Sequence, residues 1–484
     1  MVNLVFVDGK RIYYIFSILS YITTMILGIF YIYTDRLDIL LFALLGLLIS
    51  SVLYTFNNIK YYILHLIFYL TIFIFLVSRP TIDYFKTGLF NTYQSDAYRF
   101  AFIIVVISVV GLVIGGMIVP KKNNSNIIKN TNHNFRSIRL VSLIVFLVSY
   151  PFYTLRLLER LVFRMNTTYY DYYANFKSEL PYITYIISTF MIYSLCMYLA
   201  TKPSKLASTT VLIMVILANS IHLFIGTRNP FILSLLFAFI YYFMRNQVEK
   251  GKWIGFKEKM ILYLGTPLLM IVMGILNYVR DDVKMAKIGI LDIILDFIYK
   301  QGTSFGVLAR GYLYNSNIPV RETVNFTFGP IIEYFTKGSL GILFGAKAFE
   351  HTTNSVELAL NSNSYAHNLS YIVMKSEYLD GHGLGSSYIM EIFTDYGMLG
   401  VFFFSVLLGS IFVFMMRAAY GRNILLFGIT LLILNNLFFM PRSSFSESFF
   451  SLFTMQYWGI ILVIYLLAGL INKKIEYVIK KEGE

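Results

Sequence analysis

Long apolar runs alternate with short polar breaks along most of the chain. Twelve such runs start near Ile12, Leu37, Ile59, Phe100, Ile138, Tyr182, Ser208, Asn229, Met260, Met398, Ile424 and Phe453. Each is on the order of 20 residues, the length an α-helix needs to cross the hydrocarbon of a bilayer. Backbone groups in lipid must find partners within their own segment, so uninterrupted runs of this kind become helices. The pattern predicts an all-α polytopic membrane protein with about 12 transmembrane helices and one large outer loop domain. Gly226 and Pro230 punctuate the seventh and eighth runs and predict a tight turn there. The first run is too long for a secretory h-region and no small-residue cleavage site follows it, so it reads as a membrane helix.

The pattern breaks once. Between Tyr278 and about Ser387 no run is long and apolar enough to span. This divides the chain into a bundle of nine spans (1–278, with outer loops at 79–99 and 155–181), a large outer loop domain (279–386), three further spans (387–472) and a cytoplasmic tail (473–484). The loop domain contains amphipathic stretches such as IGILDIILDFIYKQ, whose apolar residues recur at helical spacing. Loops of this length in compact proteins are usually lids or binding elements.

Composition agrees with the pattern. Of 484 residues 57% are hydrophobic and 14% charged, against roughly 25% charged in soluble domains. The net charge of +14 would suggest nucleic acid in a soluble protein. Here the lysines gather in PKKNNSNIIKNTNHNFRSIR, MRNQVEKGKWIGFKEK and NKKIEYVIKKEGE, which all fall on one side of the bundle. The positive-inside rule then places both termini in the cytoplasm and leaves no reason to expect a nucleic-acid partner. Cys196 is the sole cysteine, so no disulfide framework is available within one chain. No histidine or cysteine cluster has metal-ligand spacing. The acids of Arg280-Asp281-Asp282 are a weak metal signal, and neither metal nor cofactor is expected.

The arginines do not follow the lysines. Arg79, Arg99, Arg156, Arg160, Arg164, Arg228, Arg280, Arg310, Arg321 and Arg442 all fall at the outer face on this topology. Any one of them can snorkel to the interface as an ordinary helix-end residue. Together they also suit a lipid-linked phosphate or pyrophosphate, because a guanidinium grips phosphate oxygens with two parallel bonds. Arg228 stands out, in the short turn of FIGTRNPFIL between two spans, and Arg442 in MPRSSFSE occupies a similar place.

A second polar region runs from Ala366 to Gly400, AHNLSYIVMKSEYLDGHGLGSSYIMEIFTDYGMLG. Ser386 or Ser387 can cap the helix that follows the glycines. Ser387, Glu391 and Asp395 then share one face at i, i+4 and i+8, before the chain turns wholly apolar at Met398. Glu391 and Asp395 either hold the outer loop down or bind or deprotonate an acceptor hydroxyl. His367 is the other candidate base. His65 and His222 lie inside apolar runs and are expected to be packed. The aromatic loop MNTTYYDYYANF either stacks on sugars or anchors at the interface.

GTRNP between two spans, AHNLS, and then GHGLGSSYIMEIFTDYGMLG, in that order and topological placement, resemble the O-antigen polysaccharide polymerases (Wzy type). They lie within a wider superfamily shared with the O-antigen ligases. The resemblance implies a membrane glycosyltransferase, without a metal, on the outer face of the bacterial inner membrane. Such an enzyme moves a growing glycan from undecaprenyl pyrophosphate onto a fresh lipid-linked repeat unit, with a chain-length regulator as a further partner. The small-residue-Arg turn of the family corresponds to Gly226-Thr227-Arg228, and its His-Asn pair to His367-Asn368. In ligases that pair lies close to a following Gly-x-x-Gly. Here thirty residues separate His367 from Gly397, which favours a polymerase over a ligase. The transition state builds negative charge on the leaving phosphate. The catalytic candidates are accordingly Arg228, Arg442, Arg280, His367 and Glu391, with Arg99, Arg310, Asp395 and Ser387 as substrate-binding residues. A ligase is the nearest alternative. A lipid-linked oligosaccharide flippase is the rival of another class, although charges at one face and the absence of a visible repeat speak against a transporter.

Overall fold

The computed structural model describes residues 9–121, 133–249, 251, 253–280, 289–318, 324–350 and 353–482. Every regular element among them is helical, and ten helices are long and apolar enough to cross a membrane. Two of the twelve apolar runs, those from Leu37 and Ile59, share one 51-residue stretch, Leu37–Thr87. That stretch turns at the 3-10 segment Phe56–Asn58 and doubles back. The Tyr84 hydroxyl reaches Asp38 Oδ2 at 3.4 Å, and the Phe42 and Tyr84 rings lie 5.7 Å apart. The run from Ile424 forms a helix of 14 residues, Ile424–Leu437, shorter than a full crossing.

Basic residues stand at both ends of the bundle, and Arg139 and Arg245 share the end that carries Lys202 and Lys205. At one end Lys202 Nζ donates to the Gly421 carbonyl at 2.9 Å, Lys205 pairs with Glu258 at 2.5 Å, and the Lys121 ammonium lies over the Tyr62 ring at 4.7 Å. At the other end Arg99 pairs with Asp35 and Asp96, and the Arg79 guanidinium lies 4.7 Å above the Tyr299 ring.

The tightest packing joins helix Ser95–Ile118 to helix Tyr388–Tyr420. Membrane helices gain no hydrophobic drive against each other, so close packing through small residues matters more. Here Gly111, Gly115 and Gly409 bring the two backbones together: a Cβ added at Gly115 would stand 2.0 Å from the Val406 carbonyl oxygen. Ser108 Oγ ties the contact with hydrogen bonds to the Tyr388 hydroxyl (2.6 Å) and Ser405 Oγ (2.9 Å). The 33-residue helix Tyr388–Tyr420 breaks at Gly397, whose φ of 67° and ψ of −166° are open essentially to glycine alone. Residues 388–396, which carry Glu391 and Asp395, thus form a separate helical piece above the apolar span.

The described residues between 289 and 387 contain only short helices, among them Ile290–Gln301, Gly329–Thr336 and Tyr365–Met374. They form a cap over the end that carries Arg79 and Arg99. Asp395 fastens it by accepting from the Phe326 and Thr327 N–H groups (3.2 and 2.7 Å) and from Thr327 Oγ1 (2.6 Å). The Phe100 and Tyr312 rings stack at 4.8 Å on another side.

Candidate functional site

Where the cap meets the bundle lies a cavity of about 690 Å³. Helix Gly329–Thr336 and the turn after it supply Glu333 and Lys337, and the start of helix Tyr365–Met374 supplies His367. Ser386 and Glu391 come from the approach to the long helix, and Arg442, Ser443, Ser444 and Glu447 from the connection after Ile424–Leu437. Segments more than a hundred residues apart therefore meet in one chamber.

Arg442 ends a 3-10 turn, Met440–Arg442, that Pro441 pre-shapes. Its Nη1 donates to both the backbone carbonyl and the side-chain Oε1 of Gln301, each at 3.2 Å. The guanidinium is half-buried against the Phe75 ring, 5.9 Å away. Gln301 and Phe75 thus brace one edge of a group whose fork can grip a phosphate.

Glu391 holds the segment that carries Arg442. Its carboxyl is 2% exposed. One oxygen accepts from Ser386 Oγ at 2.6 Å; the other accepts from Ser444 Oγ at 2.9 Å and the Phe445 N–H at 3.0 Å. Ser444 and Phe445 thereby pin the Arg442–Phe445 stretch to the first turn of the long helix, while Ser386 holds the carboxyl from the helix approach.

His367 lies in the first turn of its helix, where Ser364 Oγ accepts from its backbone N–H at 3.4 Å. Its Nδ1 is 2.9 Å from the Tyr378 hydroxyl. That hydroxyl also donates to the Ser355 carbonyl, at 3.3 Å. The Ser355 N–H also donates to that hydroxyl at 3.3 Å, and the tautomer with its proton on Nδ1 is the one that leaves Nε2 as an acceptor. Burial lowers the His367 pKa below the usual 6.5, so the ring is neutral near pH 7. The neighbouring Asn368 shapes the backbone instead. Its Nδ2 donates to the Ser362 and Ser364 carbonyls at 3.2 and 2.9 Å, fixing the turn before the helix.

Of the residues singled out in the sequence, the cavity gathers Arg442, His367 and Glu391. The others lie elsewhere. Arg228 begins the helix after the Gly226 turn, and its Nη2 donates to the Leu276 carbonyl at 3.0 Å, bracing that turn against helix Phe256–Arg280. Asp395 is committed to the cap, as described. The Ser387 hydroxyl is buried without a hydrogen-bond partner. Arg99 is held in its two ion pairs, and Arg310 lies over the Tyr93 ring at 5.7 Å. The Arg280 side chain, Asp281, Asp282 and Arg321 fall outside the described residues. His222 Nδ1 bonds Thr227 Oγ1 at 2.8 Å and His65 is buried among rings, in keeping with packed histidines. Among the described residues no group of three or more His, Cys, Asp or Glu is placed to hold a metal.

Sequence reasoning missed Glu447 and Lys337. Glu447 sits five residues beyond Arg442 in the same MPRSSFSE stretch, so its proximity was available. It is exposed to the cavity yet enclosed by protein, and that confinement raises its carboxyl pKa against the pull of Ser443. Lys337 carries no such signal. Only the fold brings it here, with its ammonium 5.1 Å from the Phe349 ring. One chamber therefore brings together the cations of Arg442 and Lys337, an imidazole and a carboxyl group, a set able to hold a phosphate and accept a proton from a hydroxyl.

No curated protein and no solved structure matches the chain. A family match does span nearly all of it, residues 14–475, through the bundle, the cap and every segment that lines the cavity. The chain belongs to the O-antigen polysaccharide polymerase Wzy family.

Proposed function

We propose that this protein polymerises lipid-linked oligosaccharide repeat units by transferring a growing glycan from undecaprenyl pyrophosphate to a new unit. The observation that carries the reading is the convergence of Arg442, Lys337, His367 and Glu447 on one cavity. The acceptor sugar hydroxyl gives its proton to His367 Nε2 as its oxygen bonds to the donor's anomeric carbon. The bond from that carbon to the pyrophosphate breaks, and undecaprenyl pyrophosphate leaves. Negative charge develops on the leaving oxygens, where Arg442 and Lys337 stabilise it without a metal. Glu447 orients the acceptor, and Glu391 positions Arg442 without touching substrate. Arg228 supports the site from outside the cavity by bracing the helices.

The end that carries Lys121, Lys202 and Lys205 faces the cytoplasm by the positive-inside rule. That orientation puts both termini inside and opens the cavity to the outer face of the inner membrane, where lipid-linked units are presented. A chain-length regulator would dock on the same face.

The test is transfer in detergent. Purified protein is incubated with lipid-linked repeat units, with and without a chelator, and the glycan ladder is read. Longer lipid-linked glycans, insensitive to the chelator, are expected. Arg442→Ala should reduce the rate on the order of 100-fold or more, the usual loss for a group that stabilises transition-state charge. Arg228→Ala should weaken the fold more than the chemistry. A fully active Arg442→Ala variant removes the site assignment, and transfer to a lipid A core in place of elongation would make the protein a ligase.

A further inference from the structure

A second cavity, of about 280 Å³, adjoins the first. The two share a wall made by Pro330, Glu333, Lys337, Gly338, Ser339 and Phe349. The far side of the second cavity is built from the bundle itself. Tyr185, Thr189 and Tyr193 line it from one face of helix Tyr182–Ala200, at i, i+4 and i+8. Facing them, the Tyr334 hydroxyl donates to Gln456 Oε1 at 3.2 Å and accepts from the Met455 N–H at 3.0 Å. The Tyr334 ring meets Phe450 edge-on at 5.8 Å. Tyr182 and Ser339 close the rim with a 3.0 Å hydroxyl contact.

We propose that this second cavity is a carbohydrate subsite, which takes a sugar ring of the glycan beside the reacting bond. The proposal rests on the transferase reading above and deepens it. The lining mixes aromatic rings with the neutral hydrogen-bonding groups of Thr189, Thr454 and Gln456. The Tyr185 ring already packs against Tyr182 and the Arg156 guanidinium (5.5 and 4.6 Å), so the rings offer their remaining C–H surface to a pyranose while amides and hydroxyls meet its hydroxyls. A prenyl chain would want a wholly apolar lining. A pyrophosphate would want more than Lys337, the one cation among the described lining residues. The volume falls just below the range of drug-sized ligand sites, about 300–1,000 Å³, which suits a ring and not a whole repeat unit. The shared wall places the bound ring next to His367 and Arg442, so the two cavities divide sugar recognition from phosphate departure.

Two measurements test this. In the transfer assay, Tyr185→Ala removes part of the aromatic wall and Thr189→Trp fills the space. Each is expected to raise KM for the lipid-linked unit about tenfold, roughly 1.4 kcal/mol of binding, with kcat changed much less. Elution profile and thermal unfolding show that the variants are folded. Loss of kcat at constant KM, or two variants indistinguishable from wild type, overturns the subsite. Separately, saturation-transfer NMR uses the soluble oligosaccharide released from the lipid by mild acid. Wild type should give a contact signal that Thr189→Trp abolishes. That signal in a protein that makes no polymer leaves the subsite standing and removes the transferase reading. Polymer formation with a signal indifferent to Thr189→Trp does the reverse.

Discussion

Glu391 separates two kinds of importance, and substitution tells them apart. Its carboxyl is 2% exposed and accepts from Ser386, Ser444 and the Phe445 N–H. Glu391→Ala strips all three donors of their acceptor. A buried N–H left unsatisfied costs about 1–3 kcal/mol, and each hydroxyl, free to turn elsewhere, about 0.5–1 kcal/mol, for a total of about 2–5 kcal/mol. The segment released is the one that carries Arg442, so activity should fall together with thermal stability. Glu391→Gln is nearly isosteric. Its remaining oxygen can serve Ser444 and Phe445, while its NH₂ meets a Ser386 hydroxyl that can rotate to accept. The expected loss is about 1 kcal/mol, with most of the polymer ladder intact. The assay pairs unfolding temperature with initial transfer rate for both variants. If Glu391 exchanged protons with substrate, Glu391→Gln would lose about 10²–10⁴-fold while unfolding at the wild-type temperature. That outcome would refute the positioning role.

Three further predictions follow from contacts already described. Burial lowers the His367 pKa, so its base form persists below pH 6.5 and is lost only as pH falls through the lowered value; an acid limb in the rate profile above pH 6.5 would exclude His367 as the proton acceptor. Gly115→Val should remove folded protein from the membrane, because even a Cβ there would lie 2.0 Å from the Val406 carbonyl; normal levels of monodisperse protein would contradict the packing. Asp395→Ala frees two backbone N–H groups and a hydroxyl at the base of the cap, and should expose residues 324–328 to limited proteolysis at a cost of about 2.5–7 kcal/mol; an unchanged digestion pattern would mean the cap is held by other contacts.

The apolar rhythm made the helical architecture legible, because each membrane helix declares itself through its own composition. Counting was harder. The runs from Leu37 and Ile59 share a stretch that only a three-residue 3-10 turn divides, and the run from Ile424 folds into 14 helical residues followed by irregular turns. In the site, His367 and Arg442 could be picked out as chemically unusual side chains next to spans. The periodicity also put Glu391 and Asp395 on one face, but it could not tell their roles apart. One receives Ser444 and Phe445 from more than fifty residues away, and the other receives Phe326 and Thr327 from nearly seventy. Such partners are set by tertiary folding and leave no local trace. The same holds for Lys337, which becomes meaningful only once helix Gly329–Thr336 is laid against the Arg442 segment.

The break at Gly397 bears on how the enzyme tolerates its lipid surroundings. A straight 33-residue helix would be about 50 Å long, well beyond the roughly 30 Å of bilayer hydrocarbon. Spans adjust to thicker or thinner membranes by tilting, and an unbroken rod would swing Glu391, and with it Arg442, through every such adjustment. With a glycine joint between them, the lower piece can tilt while the upper piece stays fixed to Ser444, Phe445 and the cap. With such a joint the transfer rate is expected to stay level across bilayers of different acyl-chain length, and a steep dependence would contradict the uncoupling.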